Sequence, residues 1–141
     1  MLYLDILSSL GIIRQRIDKE LQESLKDVGI NISCGHVWLL SLVYNNGGEI
    51  EIKSLVSALE KKKTTISEMV VTLEKRGLLE KYQSSYDKRI YCVKATEKAE
   101  LLKDDIQDVI NKIASKVMLD IKDEDISITA RTIQKMVDNL G

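Results

Sequence analysis

Apolar side chains recur every three or four positions through residues 3–28, at Ile6, Leu10, Ile13, Ile17, Leu21, Leu25 and Val28, and so line one face of a long amphipathic helix. Gly29 follows, the residue that enters a left-handed C-terminal cap at least steric cost. Ser33 is placed to cap a second helix, with His36 in the slot that Glu or Gln fills in a capping box. The run Val37, Trp38, Leu39, Leu40, Leu42 and Val43 reads as a mostly buried helix, and Asn45-Asn46-Gly47-Gly48 breaks it. From Glu49 to Ile52 the pattern alternates with period two, which predicts a very short strand.

A short helix is expected over Lys53–Glu60, burying Leu55, Val56 and Leu59. After a turn at Lys61-Lys62-Lys63, Thr64 is placed to cap a further helix whose apolar face is Ile66, Met69, Val70 and Leu73 and whose end is Gly77. Two short helices joined by a tight polar turn make a helix-turn-helix, here without the glycine such turns often carry. Leu78–Gln83 and Ile90–Ala95 read as two strands linked by Ser84-Ser85-Tyr86-Asp87-Lys88-Arg89, a hairpin with a charged tip. Thr96 then caps a long helix with apolar positions Leu102, Ile106, Val109, Ile113, Val117 and Ile121. A last helix, about residues 123–139, is expected to bury Ile126, Ala130, Ile133, Met136, Val137 and Leu140. The reading is a mainly α (α+β) chain: a winged helix-turn-helix region over residues 33–95, with long terminal helices over 1–32 and 96–141 forming a helical dimerisation region.

Charge changes this picture more than composition does. The chain of 141 residues has a formal net charge of -1, yet residues 53–89 hold nine Lys/Arg against five Asp/Glu, net +4, between acidic flanks. A basic module inside a near-neutral chain is the footprint expected of a nucleic-acid contact. Cys34 and Cys92 fit no disulfide framework, the N-terminus has no basic stretch ahead of an apolar run, and no apolar run approaches the ~20 residues that span a bilayer, so a cytoplasmic protein without membrane contact is expected. One histidine and two distant cysteines offer no metal cluster. With no glycine-rich phosphate loop, no HExxH and no nucleophile beside a base, neither an enzyme nor a cofactor is expected.

Several of these residues resemble the MarR (multiple antibiotic resistance regulator) family of transcription factors. Leu55-Val56-Ser57-Ala58-Leu59 matches the first helix of that family's helix-turn-helix, and Lys63-Thr64-Thr65-Ile66-Ser67 the start of its recognition helix. Leu73-Glu74-Lys75-Arg76-Gly77-Leu78-Leu79 resembles the exit into the wing, and Asp87-Lys88-Arg89 followed by Thr96-Glu97-Lys98 matches the wing's D-x-R and the T-x-K beyond it. Two positions depart: Glu68 stands where many relatives carry Arg, and Ala99 where Gly is usual.

The resemblance implies a transcriptional regulator, a homodimeric repressor on a pseudo-palindromic double-stranded operator, released by a small phenolic or anionic effector. The DNA-facing set would be Lys61, Lys62 and Lys63 at the helix N-terminus, Thr64, Thr65, Ser67, Glu68 and Thr72 on the recognition helix, and Lys88 and Arg89 on the wing with Asp87 orienting Arg89. Hydroxyls there suit base edges or phosphates, and lysines beside a helix N-terminus suit a phosphate. Thr64 and Thr65 have a plainer reading as caps, and Glu68 as a solvated residue. Arg14, Arg16, His36, Trp38 and Tyr44 are candidates to line an effector pocket. The competing function is a winged-helix protein-interaction module without operator binding, motivated by Glu68 and the overall acidity.

Overall fold

The computed structural model describes residues 2–141; Met1, the first residue of the expected helical region, lies outside the described residues. In chain order the elements are α1 (Leu2–Asp27), α2 (Cys34–Asn45), β1 (Glu49–Glu51), α3 (Ile52–Leu59), α4 (Lys63–Lys75), β2 (Leu79–Gln83), β3 (Tyr91–Ala95), α5 (Glu97–Val117) and α6 (Asp123–Leu140). The three strands form one antiparallel sheet in the order β1-β3-β2, with Val93 of the central strand opposite Ile50 on one side and Lys81 on the other. A mainly helical chain with a small three-stranded sheet is thus the observed class.

Local chemistry explains where the elements stop. Gly29 and Gly77 both lie in the left-handed region, at φ 76° and 72°. Beyond each, the chain turns back on the helix it leaves: Ile30 N–H donates to Leu25 C=O, and Leu78 N–H to Leu73 C=O, both at 2.9 Å. These are Schellman closures, in which a residue without a Cβ takes the left-handed turning point at least steric cost. Ser33 caps α2 by accepting from His36 N–H, and Thr96 caps α5 by accepting from Ala99 N–H.

The start of α4 differs from the sequence reading. Lys62, extended at φ -61° and ψ 146°, is the N-cap, and no side chain caps the helix. Thr64 therefore lies in the first turn rather than ahead of it. What defines the cap is the backbone conformation of Lys62; a hydroxyl two residues further on cannot substitute for it.

One core joins the elements. Leu21 and Leu25 of α1, Val37, Leu39, Leu40 and Val43 of α2, Leu55 of α3, Ile66, Val70 and Leu73 of α4, Val93 of β3, and Ile106 of α5 are all at most 1% exposed and belong to a single cluster. α4 packs on α3 and β2, and α1 lies along α5. Each of the buried leucines would cost about 2–5 kcal/mol on truncation to alanine, because the pocket left behind collapses only in part. Val56, Leu59 and Leu102 are half-buried at the edge of the cluster.

The apolar stripe expected to bury α6 is not buried. α6 holds no buried side chain; Ile133 is 41% exposed, Val137 50% and Leu140 91%. The N-terminal part of α1 is similar, with Ile6 and Ile13 uncovered, as are Val28, Val117 and Ile121. Periodicity marks the face of a helix that wants covering, but it does not say which chain supplies the cover.

The end of α4 is tied down from two directions. Thr96 Oγ1 donates to Gly77 C=O at 2.5 Å and Lys98 Nζ to Arg76 C=O at 2.8 Å, while the Arg76 guanidinium donates to Asn31 C=O in the α1–α2 loop.

Candidate nucleic-acid interface

The outward face of α4 is polar and open. Thr64 and Glu68 are exposed, Thr65, Ser67 and Thr72 are half-buried, and Val71 is 46% exposed between them. Thr72 Oγ1 donates to Glu68 C=O at 3.1 Å, so its hydroxyl proton is engaged within the helix. Lys61, Lys62 and Lys63 are all exposed at the uncapped N-terminus, where free backbone N–H groups, the helix dipole and three ammonium groups favour an anion.

The hairpin presents its cation in a fixed pose. Arg89 Nε donates to Asp87 Oδ1 at 3.1 Å and its terminal nitrogen to Oδ2 at 3.0 Å, a two-pronged pairing; the Arg89 backbone N–H also donates to Oδ1, at 3.0 Å. The side chain remains 91% exposed. These bonds from Arg89 hold the Asp87 carboxyl below its ordinary carboxylate value, and the pairing raises the guanidinium above its own. Lys88 is exposed beside it.

The helix-turn-helix and the wing meet at one groove of about 490 Å³. Lys63 and Ser67 line it from α4, Lys53 and Val56 from α3, and Lys81, Arg89 and Tyr91 from the hairpin, with Glu51 as the acidic member. Lys81 Nζ stands 4.7 Å from the Tyr91 ring centre, a cation–π contact. Lys53, Lys81 and Tyr91 are additions to the set read from sequence. Strand alternation held the signal for the last two: Lys81, Gln83 and Tyr91 share a face with buried Val93, and Gln83 is the register partner of Tyr91.

The five residues named for an effector pocket do not line one cleft together. Trp38 lines a cleft of about 370 Å³ with Ser41, Leu42, Asn45, Ala58, Leu59, Gln107 and Ile110. Arg14 pairs with Asp18 at 3.1 Å and lies 6.0 Å over the Trp38 ring. Arg16 is exposed on α1; His36 sits at the start of α2, bonded to Ser33. Burial and then the Arg76 charge lower the His36 pKa, which favours the neutral ring. Tyr44 is buried and donates to Ala99 C=O at 2.6 Å, a packing role. The Trp38 Nε1–H is buried without a hydrogen-bond partner among the described residues.

Cys34 begins α2, yet burial, followed by the Asp18 charge, pushes its thiol up rather than down, against the helix dipole. Among the described residues no group of three His, Cys, Asp or Glu is placed to hold a metal ion, and no helix is long and apolar enough to cross a membrane.

Comparison with known proteins places this geometry. Residues 32–91 match the MarR family. MepR from S. aureus, solved in its DNA-binding conformation, has a similar structure with a TM-score of 0.87 at 15% identity, over 96% of this chain and 98% of that one. An organohalide-sensing transcriptional regulator bound to 2,4-dichlorophenol superposes with a TM-score of 0.84 at 21% identity, over 99% of this chain and 81% of that one. A cysteine-to-serine mutant of MarR from E. coli, complexed with operator DNA, gives 0.83 at 16% identity, over 95% and 94%. At these identities the likeness is one of fold. Residues 32–91 are thus similar to the MarR family, within a winged-helix fold that the chain shares over nearly its whole length with these solved structures.

Proposed function

We propose that this protein is a homodimeric, sequence-specific DNA-binding regulator that represses transcription from a pseudo-palindromic operator. The observation that carries the reading is Arg89, which is nearly fully exposed yet held by Asp87 in one orientation, at the mouth of a groove that Lys53, Lys63 and Lys81 make basic. An exposed ion pair adds little to folding, so its geometry is better explained by what it is aimed at. A guanidinium held in this way suits the minor groove, where narrow A·T segments concentrate negative potential. The adjoining α4 face, with Thr64, Thr65, Ser67 and the Val71 methyls, suits base edges and thymine methyls in the major groove. Lys61, Lys62 and Lys63 serve the phosphates, Thr72 and Lys88 lie at the margins, and Glu68 is available to accept from a cytosine amino group.

Pairing of two chains rests on the uncovered apolar faces of α1, α5 and α6, which exceed what a lone soluble protomer normally displays. A two-fold pair would present two α4 helices to half-sites related by the same symmetry. Relief of repression by a phenolic effector is supported by the unpartnered Trp38 indole in its cleft and by the dichlorophenol seen in a protein of the same fold. As the chain's single tryptophan, Trp38 also reports on that cleft by fluorescence.

The test is fluorescence anisotropy against duplexes selected from genomic fragments and against random duplexes, over a range of salt. The reading requires selective binding that weakens steeply as salt rises, and a loss of roughly tenfold or more for Arg89→Ala. Equal binding of Arg89→Ala and the parent protein would overturn the assignment of the wing.

A further inference from the structure

We propose that Gln83 is the positioning residue for Arg89, fixing the peptide group that joins Lys88 to Arg89 so that the guanidinium leaves the hairpin in one direction. The inference rests on the role given to Arg89 above, and its geometry stands independently of DNA. Gln83 is exposed at the end of β2, where a glutamine ordinarily gives its amide to water. Here both amide protons stay within the chain: Nε2 donates to Lys88 C=O at 3.1 Å and to the Tyr91 hydroxyl at 2.9 Å.

The Lys88 carbonyl and the Arg89 N–H belong to the same planar peptide unit. Its oxygen is held by Gln83 and its N–H by Asp87 Oδ1 at 3.0 Å. A peptide plane fixed at both edges fixes the position of the Arg89 Cα and the line of its N–Cα bond, and Asp87 then fixes the guanidinium at the far end of the side chain. Tyr91 supports the arrangement from below, since its ring carries the Lys81 ammonium and its hydroxyl receives Gln83. The hairpin itself is closed by other bonds, Ser84 N–H to Ile90 C=O at 2.8 Å and Ile90 N–H to Asp87 C=O at 3.0 Å, so losing the Gln83 amide loosens the Lys88–Arg89 peptide without opening the wing.

Two variants test this, Gln83→Ala and Gln83→Glu, the second nearly the same size but with no amide proton to donate. Without DNA, hydrogen exchange of the Arg89 backbone amide should quicken several-fold in both, while the amides of the β2–β3 ladder keep their rates. Unchanged exchange at Arg89 would overturn the proposal. With operator duplex, Gln83→Ala should weaken binding about fivefold, the worth of one modest hydrogen bond. The same change made in an Arg89→Ala background should cost nothing further. A full, additive loss in that background would show Gln83 touching DNA directly and would also overturn the proposal. Should Arg89→Ala leave DNA binding untouched, the wing reading fails, and the exchange rates still decide whether Gln83 holds the peptide.

Discussion

Replacing Tyr44 with phenylalanine removes one oxygen from the joint between α2 and α5, and the structure sets both the size and the pH dependence of the effect. Tyr44 is 7% exposed, and its hydroxyl donates to Ala99 C=O at 2.6 Å in the first turn of α5. At neutral pH the loss of this neutral bond should destabilise the fold by about 1 kcal/mol. Burial, followed by the Glu100 charge, pushes the Tyr44 hydroxyl up to about 12. In the unfolded chain the phenol ionises near its ordinary value of about 10. With the folded value above the unfolded one, the parent protein's advantage is complete below about pH 10 and declines as pH rises towards about 12, because only the unfolded chain gives up the proton in that window. Lys103 Nζ, 5.8 Å from the ring centre, marks the solvent-facing edge of the site. Allowing for screening there, the decline amounts to roughly 1 kcal/mol by about pH 11, enough to cancel the neutral-pH gap. Urea denaturation of both proteins at equal chain concentration, followed by Trp38 fluorescence from neutral pH to about pH 11, reads the difference. Every other group is the same in both proteins, so its contribution cancels in the difference. A gap that is absent at neutral pH, or that stays constant into alkali, would refute the argument.

Two further outcomes are expected. Glu60, the C-cap of α3, occupies the left-handed region at φ 50°. Glu60→Gly should stabilise the chain by about 0.5 kcal/mol, the relief of backbone strain less the added freedom of the unfolded chain, and a lower melting temperature would show that the glutamate side chain contributes there. Ile133→Glu alters a residue that no protomer core covers, so it should leave the helical circular dichroism intact while shifting the sedimenting species to a single chain. Pairs that survive the substitution would remove this part of α6 from the interface.

Most of the element order was legible because local chemistry and tertiary packing agree. Gly29 and Gly77 mark turns that need a left-handed residue, and Ser33 and Thr96 meet donors three residues on. The failures have a common cause. At the start of α4 the sequence offers Thr64 as an obvious cap, but the helix begins two residues earlier because Lys62 adopts the extended conformation and Ile66 must reach the core one turn later. Along α6 the spacing of Ile133, Met136, Val137 and Leu140 is that of a buried face, yet a single sequence does not state that the burying surface is absent from its own chain. Arg14 and Trp38 come together because residues from two helices converge, whereas His36 and Tyr44, on the same helix as Trp38, are directed elsewhere. The Gln83 contacts depend on strand register, which fixes which side chains share a face.

The bonds that Thr96 and Lys98 make to Gly77 and Arg76 fasten the exit of α4 to the start of α5, and the Arg76 bond to Asn31 fastens it to the α1–α2 loop. A hinge needs a few residues free to change their backbone angles, and here the segment between the two is a paired sheet. With both ends of that segment fastened, α4 is expected to follow α5 when the latter tilts. At the opposite end of α5, the bend before α6 places Asp120 at a φ of 59°; in the pairing proposed above, a change in the separation of two chains is therefore expected to re-aim their α4 helices without unfolding either.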